Sequence, residues 1–294
     1  MRTQCKLQPR LGLLLTLVVL TLHVAATAAG EQQVLNDSPH AGLRLRNATI
    51  NDAAAIANVT IAAFFDLPNW DYLYQFRREY PREHQRCMTQ FTNRILAHPA
   101  GRGEVVEIEA GADGERVVIA SALWLQLQLQ CALAEAGGEE PIPVGALSEG
   151  ELVGKGLVPS NRAKSRAGTE MANCTHRDLN LTRAVAWDHQ WNTLARKNLA
   201  PFGGNQLYLE LLGTHPAYQG RGAGSSLVKS GLERARKEME EGELDVNVTL
   251  IAQPTAETFY MGMGFKEMRN MTMEGVDGES FVFNVMAYDM QSED

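Results

Sequence analysis

Gln219-Gly220-Arg221-Gly222-Ala223-Gly224, six residues between a strand and a helix, carry the first chemical signal in the 294-residue chain. Upstream, Asn205 to Leu212 alternates with period 2, with Leu207, Leu209 and Leu211 expected on one face and Tyr208, Glu210 and Leu212 on the other. Gly213 and Pro216 stop that strand. After Ser225 and Ser226 an amphipathic helix carries Leu227, Val228, Leu232 and Ala235. A glycine-rich turn in this setting presents unpaired backbone N–H groups at the positive end of a helix dipole, which suits a phosphate or pyrophosphate. Two common phosphate loops are excluded. No lysine precedes Ser225 to reach a β/γ-phosphate, so nucleotide hydrolysis is not indicated. Ser225 stands where the dinucleotide fingerprint needs its third glycine, and the turn lies late in the chain rather than opening a βαβ unit.

A second β-rich run, Val246 to Ala252, leads through Gln253-Pro254 into a short helix with Phe259-Tyr260-Met261-Gly262-Met263-Gly264-Phe265. The Gln-x-x-Gly-x-Gly turn and the Tyr260-x-x-x-Gly264-Phe265 segment, each in its strand-and-helix setting, together resemble GNAT-type N-acetyltransferases. In that family the first is the coenzyme A pyrophosphate loop and the second follows the fifth strand. The chain resembles a fungal-like member with a secretory leader, over about Leu43 to Met290. The resemblance implies an α/β fold, the GNAT acyl-CoA N-acyltransferase fold: a mixed, mostly antiparallel sheet with parallel, splayed central strands, flanked by helices. It implies acetyl-CoA as co-substrate, no metal, and transfer of the acetyl group by direct attack of a small-molecule amine in a ternary complex. Two alternatives stay open: a non-catalytic acyl-CoA-binding or interaction protein with the same fold, and a longer-chain N-acyltransferase.

Acyl transfer from a thioester to an amine requires that the donor be held, the ammonium lose a proton and the departing thiolate gain one. By resemblance, the pantetheine arm lies between the two strands, bonded by the backbone of Leu212, Gly213 and Thr214. The pyrophosphate falls on Gln219, Gly220, Arg221, Gly222, Ala223, Gly224 and Ser225. Glu210 is the candidate base, since burial beside an apolar sheet raises a carboxyl pKa; the alternative is a glutamate paired structurally with an arginine. Tyr260 is the candidate acid, protonated at neutral pH because tyrosine titrates near 10; the alternative is a core aromatic. Gln253 stands where many members carry Asn. His215 is expected to cap the turn and His189 to lie on the helix surface. The amine side is framed by Asp66–Tyr74 and Met271–Glu279, with Asp66 or Asp71 meeting an ammonium and Trp70, Tyr72 and Tyr74 lining an apolar arm. Space near Trp124 and Leu212 would set the acyl length.

The elements that must position these groups read as follows. Leu43–Arg46 is a first strand, and Asp52 caps a helix from Ala53 to Phe65. A loop, Asp66–Tyr72, leads to a helix over Pro81–Ala97. Strands Glu104–Glu109 and Arg116–Leu125 turn at Asp113-Gly114, a helix spans Asn180–Ala200, and a second hairpin turns at Gly275–Gly278. From 132 to 169 the composition shifts to Gly, Glu, Pro and Ser without apolar period, which predicts a mobile insertion in a single 43–290 domain.

Arg2, Lys6 and Arg10, an apolar run and Ala26-Thr27-Ala28 predict a signal peptide or signal anchor over 1–28, followed by a linker over 29–42. The domain would then face the ER or Golgi lumen or the exterior. Asn-x-Ser/Thr triplets at Asn36, Asn47, Asn58, Asn173, Asn180, Asn247 and Asn270 exceed the roughly one or two expected by chance and point the same way. Asn36, Asn173 and Asn180 are the expected glycan sites; Asn247 opens a strand expected to be central. Beyond the leader, Cys87, Cys131 and Cys174 allow one disulfide with a free thiol, or none. His84-x-x-Cys87 and Cys174-x-His176 lack the spacing of common zinc sites. A formal net charge of −8 without a basic stripe argues against nucleic acid and against membrane contact beyond the leader. The oligomeric state is not legible.

Overall fold

The computed structural model describes residues 42–110, 114–128, 174–242 and 246–290. The leader, the linker up to residue 41, Cys131 and the 132–169 insertion lie outside them.

Period-2 runs pair into one seven-stranded sheet with the order β1-β2-β3-β4-β5-β7-β6. Its strands are β1 (Arg44–Asn47), β2 (Gly101–Ala110), β3 (Glu115–Gln128), β4 (Asn205–Thr214), β5 (Asn247–Ala252), β6 (Phe265–Glu274) and β7 (Ser280–Tyr288). Neighbours are antiparallel except β4 and β5, which are parallel as expected. The helices are α1 (Ala53–Phe64), α2 (Pro68–Leu73), α3 (Pro81–Ala97), α4 (Leu181–Leu199), α5 (Ala223–Glu240) and α6 (Glu257–Gly262).

The helices cover both faces. On one, α5 sets Leu227, Val228, Leu232 and Ala235 against Trp124, Leu207, Leu209 and Leu250, with Tyr260 of α6 joining. A Cβ added to Gly231 would sit 2.2 Å from the Trp124 ring, so only glycine lets α5 approach the sheet this closely. On the other face, Ile56 of α1 and Ile95 of α3 meet Val105, Leu123 and Leu211. Beside them α4 packs Leu199 and the partly buried Trp187 and Trp191 against Tyr208, Met271 and Phe283.

Three local expectations are corrected. The Asp66–Tyr72 stretch is not all loop: Pro68 at the first helical turn starts α2, since its fixed φ suits that position and its missing N–H costs nothing there. Asp52 does not cap α1. Its backbone is already helical, and its carboxylate pairs with Arg46 at 2.7 Å and accepts the Thr49 N–H at 2.7 Å. Most consequential, β4 does not keep one alternation. Leu209 pairs with Trp124 and Leu211 with Leu123, so Glu210 is an extra residue, a β-bulge. Beyond it the faces exchange: Leu212 packs with the α5 side while Leu211 turns to the α1 side.

Candidate active site

The β4–β5 ladder runs from Gln206–Asn247 to Leu209–Leu250 and stops. Both strands continue, but Leu211 to Thr214 pair only with β3, and Ile251 and Ala252 only with β7. A wedge therefore opens between the C-terminal ends of two parallel neighbours, and the Glu210 bulge stands at its apex. Leu212, Gly213 and Thr214 form one side of it.

Past β4, His215 accepts the Ala217 N–H through Nδ1 at 3.3 Å and caps the turn. The Gln219 side chain donates to the Thr214 carbonyl at 3.2 Å and so closes the loop. Gly220 and Gly222 have φ of +75° and +82°, a conformation L side chains resist. The amides of Gly220 and of Gly222, Ala223, Gly224 and Ser225 meet no backbone carbonyl among the described residues; the first capping bond is Ser226 N–H to Gly222 at 2.9 Å. They crown the N-terminus of an 18-residue helix. A Cβ on Gly224 would touch Thr214 and Phe259, so this turn is wedged between the end of β4 and α6. Arg221 lies over the Tyr218 ring, 5.3 Å from its centroid. These donors and this dipole fit a diphosphate. Alongside, Ser225, Lys229, Gly262 and Met263 line an outer groove of about 430 Å³.

On the other side of the wedge a cavity of about 380 Å³ is lined by β4 from Tyr208 to Leu212, by Leu250, Ile251, Ala252 and Gln253, and by Tyr260 of α6. Its far wall comes from Phe64, Trp70 and Tyr74 around α2, from Met88 and Phe91 of α3, from Trp187, Asp188 and Trp191 of α4, and from Phe283 of β7. Glu210 and Tyr260 thus share one cavity. Burial pushes the Glu210 carboxyl above its ordinary value of 4.5. Among the described residues no hydrogen-bond or ion-pair partner meets that carboxylate, so the arginine pairing left open by the sequence is not found there. Burial likewise pushes the Tyr260 hydroxyl up, and Tyr208 is raised by burial, then by Glu210 and Tyr260 beside it. Both tyrosines are protonated at neutral pH.

The amine-side expectations are met in part. Trp70 and Tyr74 line the cavity, but Tyr72 does not: its hydroxyl accepts the Val276 N–H at 2.8 Å and pins the β6–β7 hairpin. Asp71 pairs with Arg77 rather than facing the cavity, and Asp66 is not in its lining. Trp124 is buried on the α5 face and does not line the cavity, whereas Leu212 does. Sequence reading missed the α4 wall. Trp187 and Trp191 are one helical turn apart, a visible stripe, but nothing local shows that α4 crosses the cavity.

It also missed what fixes Trp70. The Trp70 Nε1–H donates to His84 Nε2 at 3.3 Å, so the His84 proton is on Nδ1 and is donated to buried Asp178 at 2.7 Å. Asp178 is carried by a strap, residues 174–180, held to α3 by a Cys87–Cys174 disulfide. Glu83 of α3 also accepts from Thr175 Oγ1 at 2.7 Å. Cys87, Cys174 and His176 lie within 4.8 Å of one another, but both sulfurs are committed to the disulfide and are not thiolate ligands.

The family model described as an acetyltransferase (GNAT) domain matches residues 194–281. No curated protein matches the chain. Among solved structures, the chain is similar to a histone acetyltransferase HPA2 and related acetyltransferase from Corynebacterium glutamicum, at 16% identity over 84% of this chain and 95% of that one, TM-score 0.46. It is also similar to Arabidopsis thaliana NAA60 in complex with acetyl-CoA, at 12% identity over 84% and 97%, TM-score 0.44. A Drosophila melanogaster polyamine N-acetyltransferase that forms N-acetylagmatine stands at 10% identity over 83% and 98%, TM-score 0.49. The matched residues run from the end of α4 through the glycine-rich turn and Tyr260 into the last hairpin, so it is the half of the chain holding the splayed parallel pair that is similar to an acetyltransferase (GNAT) domain.

Proposed function

We propose that this chain is an acetyl-CoA-dependent N-acetyltransferase acting on an amine of a small molecule. The observation that carries the reading is that an unpartnered carboxylate, Glu210, and a protonated tyrosine, Tyr260, line one cavity at the apex of the β4–β5 wedge. Bound acetyl-CoA supplies an activated thioester carbonyl. The turn amides from Gly220 to Ser225 hold its diphosphate, the outer groove with Lys229 takes the adenosine end, and the open edge of Leu212–Thr214 bonds the pantetheine amides. Glu210 accepts a proton from the acceptor ammonium, which needs the raised carboxyl pKa that burial supplies. The Tyr260 hydroxyl donates to the departing thiolate. The test is incubation of the full chain with labelled acetyl-CoA and an amine panel. Tyr260→Phe is expected to lower kcat about 10- to 100-fold with coenzyme affinity unchanged. Full rate in that variant, or coenzyme binding with no turnover of any amine, would sink the catalytic reading.

The compartment proposed is the secretory lumen. The Cys87–Cys174 disulfide between α3 and the strap supports it, because such bonds persist in oxidising compartments. Asn47 and Asn270, exposed on edge strands, and Asn58, exposed on α1, are the glycan candidates among the described residues. Asn180 is withdrawn as one: it caps α4 by accepting from Arg183 at 3.2 Å and donates to Gln75 at 3.0 Å. Asn247 donates to the Phe202 carbonyl at 2.7 Å. Expression of the full chain in secretory cells should give a product whose mass falls on glycosidase treatment; an unchanged mass counts against this placement.

A further inference from the structure

Resting on the acetyltransfer reading, we infer that the acceptor is a monoamine with a flat apolar body, an arylalkylamine in size and polarity, rather than a polyamine or a peptide amino terminus. The cavity that holds Glu210 is walled by rings. Trp70 and Tyr74 lie 4.5 Å apart between centroids, Trp187 and Trp191 are stacked at 6.3 Å, and Phe283 meets Trp191 edge-on at 5.2 Å. Such walls bind a planar ring by offset or edge contacts and leave it few degrees of freedom. They are also fixed in place: Trp70 is tied through His84 to Asp178.

Charge in the cavity is as selective as its shape. Among the described residues no Lys, Arg or His lines it, and the acids in the lining are Glu210, on the β4 bulge, and Asp188, exposed on α4. One buried carboxylate matches one ammonium. A second ammonium on a linear polyamine would lie among aromatic walls without a buried counter-charge, and removing it from water there is costly. A peptide fares no better. Asn69 and Gln253 are the amide side chains in the lining, too few to replace the water lost by successive peptide groups. Asp188 attracts the incoming cation, and cation–π contact with Trp187 and Trp191 carries it inward. The amine then reaches Glu210 with the ring behind it.

The experiment uses the purified full chain and follows acetylated product by mass spectrometry. 2-Phenylethylamine, tyramine and tryptamine are compared with spermidine, agmatine and a lysine-containing peptide. The aromatic monoamines are expected to exceed the others in kcat/KM by at least about 100-fold, as a site with one matched charge should discriminate. Spermidine, agmatine or the peptide as the best acceptor overturns the inference while leaving acetyltransfer intact. If no amine is acetylated, equilibrium binding decides. Tryptamine binding that 2-phenylethylamine displaces and spermidine does not supports the inference, whereas absent binding or equal displacement overturns it. Coenzyme A titration of the same sample reports on the acetyltransfer reading separately. Trp191→Ala should raise KM for the aromatic amines about tenfold, with Trp191→Phe restoring it and coenzyme affinity unmoved.

Discussion

Burial holds the Glu210 carboxyl above its ordinary range, so over the pH interval between the two values the native state keeps a proton that the unfolded chain has lost. Stability therefore falls as pH rises through that interval, and above it the fold carries the full cost of a desolvated charge. The same ionisation is what a base requires. Glu210→Gln should lower kcat by about 100- to 10,000-fold and remove the acid limb of the pH–rate profile. The same change should raise the melting temperature at neutral pH, with the gain vanishing at pH values below an ordinary carboxyl pKa. Thermal unfolding across pH checks it, and a lower melting temperature at neutral pH would mean that Glu210 has a stabilising partner. The sequence pointed to Glu210 but left a salt bridge open, because whether an arginine reaches a strand residue depends on packing from elsewhere in the chain.

Among the elements, the 174–180 strap does more than its length indicates. Its Asp178 is fully buried, orients His84, and through it sets the angle of Trp70 in the cavity wall. Burial alone would raise the Glu83 carboxyl, but the Thr175 hydroxyl and amide, with Arg86 and Arg177 nearby, take it below its usual value. The strap is thus docked by charge-assisted bonds as well as by the disulfide. Cys174→Ser should cost roughly 2–5 kcal/mol of stability, since the bond closes a loop of 87 residues' separation. It should also raise KM for the amine more than for acetyl-CoA, because the Gly220–Ser225 turn opens α5, which packs on the other face of the sheet. Steady-state kinetics in both substrates tests this; equal changes would show the strap to be a general fastening. Neither pairing was legible. Cys87 and Cys174 are brought together by a helix and a strap far apart in sequence, and with three cysteines spacing alone does not choose.

At the scale of the molecule, most strands and helices were legible because period-2 and period-3.6 patterns report burial directly. Leu227, Val228, Leu232 and Ala235 faced the sheet as their spacing predicted. What failed was information that is not local. The Glu210 bulge reverses the later half of β4, a one-residue insertion that alternating leucines on both sides conceal. The α4 wall depends on where a helix far along the sequence from α2 and α3 lands on the sheet.

The short β4–β5 ladder has a consequence for rigidity. From Leu209–Leu250 onward the two halves of the sheet share no rungs, and α5 spans the seam. A carrier with peptide-like groups lying along that seam would complete the missing rungs and weld the halves together. Amide exchange at Leu211–Thr214 and Ile251–Ala252 should slow when coenzyme A is added, while the β1–β2 edge stays as it was. Uniform slowing across the sheet, or none at the seam, would mean the ligand stiffens the protein by some other route.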